Sequence, residues 1–117
     1  MRRLLLVVAA ATLATANFAG AMTVPKLFGT VGPGFTISLK DVHAKAVKQL
    51  KAGKYAFVIK DKSSIHTFSL KGPGITSTLA SATFVGSKTV TVTLKRGAYT
   101  FYCAVHPTIM RGTFKVT

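Results

Sequence analysis

Hydrophobic and polar residues alternate with a period of two over much of the chain. Phe35, Ile37 and Leu39 fall on one side, with Thr36 and Ser38 on the other, and Tyr55, Phe57 and Ile59 repeat the pattern. Val90, Val92 and Leu94 alternate with Thr89, Thr91 and Thr93, and Phe114 and Val116 close the series. Successive side chains of an extended chain point to opposite faces, so each run predicts a strand with one buried face. Gly32-Pro33-Gly34, Gly53, Gly72-Pro73-Gly74, Gly86 and Gly97 lie between the runs and mark turns. This spacing of strands and turns predicts an all-β sandwich. Only Val42, Ala46 and Leu50 fall at helical intervals, and that segment reads equally well as a loop crossing between strands. One internal echo stands out. Residues 50–57 and 94–101 share the form L-K-x-G-x-Y-x-F, which two copies make a shared way of turning into a core strand rather than a solenoid repeat.

The N-terminal segment follows a different rule. Arg2 and Arg3 precede an apolar run from Leu4 to Ala14, and small residues follow, ending in Ala19-Gly20-Ala21. That order predicts a secretory signal peptide over residues 1–21, with a cut after Ala16 as the competing site. Cleavage after Ala21 leaves residues 22–117, which is 96 residues and the length of one domain. No later apolar run reaches the roughly 18–20 residues that a membrane anchor requires. The expectation is an exported protein without a transmembrane anchor, in the periplasm, at the cell surface or outside the cell.

Charge narrows the chemistry. The chain carries 16 Lys and Arg against two acidic residues, Asp41 and Asp61. Setting aside Arg2 and Arg3 leaves 14 cations and two carboxylates, a net +12 for residues 22–117. Hydrolysis by paired carboxylates is confined to Asp41 and Asp61, and no pattern brings those two together. A surface so basic keeps a secreted protein soluble, and it also steers encounters with acidic partners. Nucleic acid is not expected as a partner, because no recognition motif is present.

Cys103 is the single cysteine, so it has no partner within its own chain. An exported thiol of this kind is a buried inert group, half of an intermolecular disulfide, or a metal-bound thiolate. Its surroundings favour the last. Strand parity places Tyr99, Phe101 and Cys103 on one inward face, and it places His66 with Phe68 and Leu70 on another. After Cys103 the chain continues Ala104-Val105-His106-Pro107-Thr108-Ile109-Met110, a C-x2-H-x3-M spacing with His66 37 residues upstream of the cysteine. Two imidazoles and a thiolate with a weak axial thioether form the donor set of a blue-copper electron-transfer site. The soft thiolate suits Cu(I) and is covalent toward Cu(II), and the imidazoles suit both, so little has to move when the electron arrives. His43 has no such spacing and reads as exposed. A cysteine hydrolase would need a base oriented by a third polar group, for which this loop offers only Thr108. Structural zinc prefers four Cys or His donors.

Residues 64–74, SIHTFSLKGPG, and 94–114, LKRGAYTFYCAVHPTIMRGTF, resemble the cupredoxins, and in particular the small secreted bacterial plastocyanin-like proteins. The resemblance covers nearly the whole of residues 22–117. It implies a Greek-key β-sandwich of about 7–8 strands with one type 1 copper ion cycling between Cu(I) and Cu(II). By matching position it assigns His66, Cys103, His106 and Met110 as ligands. It further implies a monomeric carrier of single electrons between redox partner proteins, with no enzyme activity of its own. Copper sequestration or delivery by the same ligands is the alternative. In that family the imidazole of the ligand loop pierces an apolar patch, for which Pro107, Ile109 and Phe68 are the candidates here. The chain departs from the family pattern in its x3 spacing before Met110, and in Thr67, where an asparagine usually follows the upstream histidine and ties the two ligand loops together.

Overall fold

The computed structural model describes residues 23–117, so the predicted signal peptide lies outside the described residues. Nine strands fill most of the described chain: β1 (Lys26–Val31), β2 (Ile37–Lys40), β3 (Gln49–Leu50), β4 (Gly53–Asp61), β5 (Phe68–Gly72), β6 (Ile75–Ala80), β7 (Gly86–Leu94), β8 (Gly97–Tyr102) and β9 (Arg111–Val116). Among the described residues there is no helix. Residues 42–50 are the crossing loop of the two readings, and it ends in the two-residue β3. That short pairing brings the total to nine strands, against the seven or eight expected.

The strands form two mixed sheets, ordered β2-β1-β4-β7 and β3-β9-β8-β5-β6. The chain changes sheet after β2, β3, β4, β6 and β7, which is the wiring of an all-β sandwich of two mixed sheets. Alternation does what the sequence predicts. Tyr55, Phe57, Ile59, Val92, Leu94, Phe114 and Val116 are all buried between the sheets. The aromatic rings at the centre lie nearly parallel: Phe68 on Phe101 at 5.9 Å and Tyr99 on Phe114 at 5.3 Å between centroids. Such rings supply large apolar area at the core and contribute beyond it through offset stacking.

Register defines two ends. Val31, Asp61 and Gly86 lie side by side across one sheet, so β1 and β4 finish where β7 begins. In the other sheet Tyr102 pairs with Arg111 and with Ser69, so β8 finishes where β5 and β9 begin. Residues 32–36, 62–67 and 103–110 therefore gather at one end. The turns at 51–52 and 95–96 occupy the opposite end, roughly 30 Å away at about 3.3 Å per residue along β4.

Two expectations change. Phe35 does not share the inward face of Ile37 and Leu39; β2 begins only at Ile37, and Phe35 is 57% exposed in the preceding loop. Phe68 keeps the inward side that parity predicts and so drops out of the expected apolar patch. It is fully buried and stacked on Phe101, because β5 carries it into the space between the sheets.

Candidate metal centre

Three donor atoms converge at the first of these ends. Cys103 follows β8 directly, and its side chain continues the inward series of Tyr99 and Phe101 to complete burial. His66, two residues before β5, is 1% exposed. His106 lies midway along the loop joining β8 to β9 and is half-buried. The Nδ1 atoms of the two histidines are 3.2 Å apart, and each is 3.8 Å from Cys103 Sγ.

These separations suit one ion. With bonds of about 2.0–2.1 Å to imidazole nitrogen and about 2.3 Å to thiolate, trigonal geometry places donors roughly 3.5 Å and 3.8 Å apart. The sulfur–nitrogen distances match, and the nitrogen–nitrogen distance is a few tenths of an ångström shorter. Because Nδ1 of His106 faces the cluster, its Nε2 edge lies on the other side of the ring, toward the surface.

Met110 is 1% exposed at the base of the same loop. Its carbonyl accepts from Cys103 N at 3.0 Å, and its N–H donates to the His106 carbonyl at 3.0 Å. His106 N donates in turn to the Cys103 carbonyl at 3.2 Å. All three donor-bearing residues of the loop are thus joined through their backbones.

The other loop is tied to this one by Thr67. Its Oγ1 accepts from Ala104 N at 2.7 Å, and its own N–H points to Cys103 Sγ at 3.3 Å. A 2.9 Å bond between the Thr67 and Ser69 hydroxyls holds the side chain in place. The hydroxyl is long enough for the task that asparagine usually performs, so the departure at this position leaves the loop-to-loop link intact.

Asp61 begins the segment leading to His66. It is 2% exposed; Oδ1 accepts from Ser63 N at 3.0 Å, and Oδ2 has no hydrogen-bond partner among the described residues. Burial raises its carboxyl above the ordinary value, opposed by the Ser63 bond and by the charge of His66. His43 is exposed, as its sequence context predicts, with its N–H on Asp41 Oδ1 at 2.8 Å.

Sequence reasoning missed Phe35. Its ring meets both imidazoles edge-on, with centroids 5.6 Å from His66 and 4.9 Å from His106. With Ile65, Val105, Pro107 and Ile109, all exposed, it makes an apolar rim around His106, the one histidine of the cluster that reaches the surface. The available signal was Gly34, which interrupts the strand pattern just before Phe35 and so detaches it from the inward face.

A β-sandwich with a histidine–cysteine–histidine cluster held between two loops at one end is the arrangement of the cupredoxins, and the chain has the cupredoxin fold. It is similar to rusticyanin, whose 2.1 Å structure is described as that of a copper protein: 21% identity, covering 79% of this chain and 76% of that one, TM-score 0.55. Reduced rusticyanin gives 22% identity, 79% and 78% coverage and a TM-score of 0.54, and a methionine-to-glutamine variant of rusticyanin gives 23%, 79%, 76% and 0.52. No family model and no curated protein sequence matches the chain.

Proposed function

We propose that this protein is a type 1 copper protein that carries single electrons between exported redox partners. The observation that carries the reading is the spacing of His66 Nδ1, Cys103 Sγ and His106 Nδ1, which suits a three-coordinate ion inside a water-poor end of the sandwich. Met110 is the proposed weak fourth ligand, supported by its burial and by the bond between its backbone and that of Cys103.

Copper supplies a one-electron couple, and the chain's own residues hold the donors so that both valences are accepted. Thr67 and the turn of residues 103–110 fix cysteine and histidine before metal enters, which lowers the rearrangement that accompanies electron transfer. His106 is the exit route, being the one donor with a surface-facing edge, and the apolar rim around it excludes water when a partner docks. Lys60, Lys62, Lys88 and Arg111 stand exposed on this half of the molecule and would speed encounter with acidic partners.

Adding Cu(II) should produce a strong thiolate-to-copper absorption band and a reversible one-electron wave. Cys103→Ala should abolish both while the sandwich stays folded. A colourless wild-type protein with Cu(II) would overturn the reading. Rapid loss of copper to a chelator without a reversible wave would replace electron carriage by copper delivery.

A further inference from the structure

The echo L-K-x-G-x-Y-x-F has no part in the metal centre. Its two copies build the turns from β3 to β4 and from β7 to β8, both at the end opposite the histidines. Each copy carries the chain from one sheet to the other at a glycine of positive φ, Gly53 at 151° and Gly97 at 141°. Two residues later a buried tyrosine reaches back to the lysine of its own turn. Tyr55 Oη donates to the Lys51 carbonyl at 2.7 Å; Tyr99 Oη accepts from Lys95 N at 2.9 Å and donates to the Pro73 carbonyl at 3.2 Å. The backbones are pinned while the side chains of Lys51, Lys54, Lys95 and Arg96 stand in solvent.

Two further lysines adjoin them. Lys115 N donates to the Lys48 carbonyl at 2.9 Å where β9 meets the approach to β3. Lys48 and Lys115 flank a groove of about 520 Å³ lined also by Gln49, Ala98 and Thr113. Six cations thus share one end, and neither of the two acidic side chains of the chain neutralises them. Asp61 is buried at the other end, and Asp41 Oδ1 accepts from the backbone N–H groups of His43 and Lys45 within its own loop.

We propose that this end is a docking face for an anionic lipid surface. Five of the six cations are lysines, flexible point charges that match diffuse negative charge better than a fixed carboxylate or phosphate geometry. They are spread over two turns and the β3–β9 edge, and only Lys48 and Lys115 line a groove. The aromatic residues of the two turns, Tyr55 and Tyr99, are buried, so among the described residues these turns offer no stacking platform for single-stranded nucleic acid. Docking by this end leaves the His106 rim pointing away from the bilayer and free to meet a partner. Vesicle binding needs no metal, so its failure leaves the copper reading untouched.

Co-sedimentation with phosphatidylcholine vesicles, with and without phosphatidylglycerol, tests the face. Wild-type protein should bind the anionic vesicles alone and lose affinity as salt rises. Neutralising Lys51, Lys54, Lys95 and Arg96 together with Gln should weaken binding by on the order of several hundredfold, from roughly fivefold, or about 1 kcal/mol, per charge. A control that converts Lys60, Lys62, Lys88 and Arg111 to Gln removes the same charge from the other half and should lose far less. Circular dichroism confirms that each variant is folded. Equal losses in the two variants, salt-independent or absent wild-type binding, or capture by soluble heparin without vesicle binding would overturn the assignment.

Discussion

The two ends of this sandwich are built from the same strands and solve opposite problems. At the histidine end, side chains are buried and the loops that carry them come from different strands, so the cross-link has to be made by side chains: Thr67 to Ala104 and to the cysteine sulfur. At the basic end, the charged side chains stay in solvent and only the backbone needs fixing, which Tyr55 and Tyr99 do from below. One end holds three donor atoms together, and the other holds a charged surface in shape. In both, a buried hydroxyl bonded to the backbone of a loop or turn supplies the rigidity.

Removing those hydroxyls tests the parallel. Thr67→Val deletes the acceptor of Ala104 N, a bond whose loss costs about 1–3 kcal/mol when the partner is left unsatisfied. It should also lower copper affinity by roughly 10- to 100-fold, as loss of an outer support of a metal ligand typically does. Thr67→Ser should restore most of both, and thermal melts with a copper-competition titration read the two effects. Unchanged copper affinity in Thr67→Val would show that the histidine end does not depend on this cross-link.

Tyr99→Phe should cost more stability than Tyr55→Phe, because two bonds are lost rather than one, each worth about 1 kcal/mol. Neither should alter the copper band, so a spectral change in either variant would mean that the ends are coupled. Denaturant melts of the two variants rank them.

The smallest effect belongs to Asp61. Its carboxyl is raised by burial, so the folded chain keeps the proton to higher pH than the unfolded chain does. That contribution to stability is complete below the ordinary carboxylate value and is lost as pH rises through the raised one. Asp61→Asn should therefore show a smaller fall in melting temperature than wild type across this range. An identical fall in both proteins would remove Asp61 as the source.

Much of this arrangement is legible in the chain. Cys103 is inward because it continues the parity of Tyr99 and Phe101, and C-x2-H-x3-M places the donors of one loop without knowledge of the fold. Strand parity fails where strands stop. Alternation alone groups Phe35 with Ile37 and Leu39, but a glycine stands just before it, and the loop turns its ring onto the histidines. Phe68 lies inward, as its parity with Leu70 predicts, and that removes it from the apolar patch to which the family resemblance assigns it. Thr67 belongs by parity to the solvent face of its strand, and it is buried because the loop of residues 103–110 lies across it, a contact between segments some 36 residues apart. The echo was readable as a turning device, whereas its common location at one end required the topology.

The loop between Cys103 and Met110 is closed at its neck by the bond between those two residues and by the Tyr102–Arg111 pair beyond it. A segment clamped in this way behaves as a cassette. Residues such as Val105, Thr108 and Ile109 can be exchanged, or their number altered, without reaching the hydrogen-bonded ladder underneath. Selection, or an engineer, is then free to vary the tip while the scaffold stays constant.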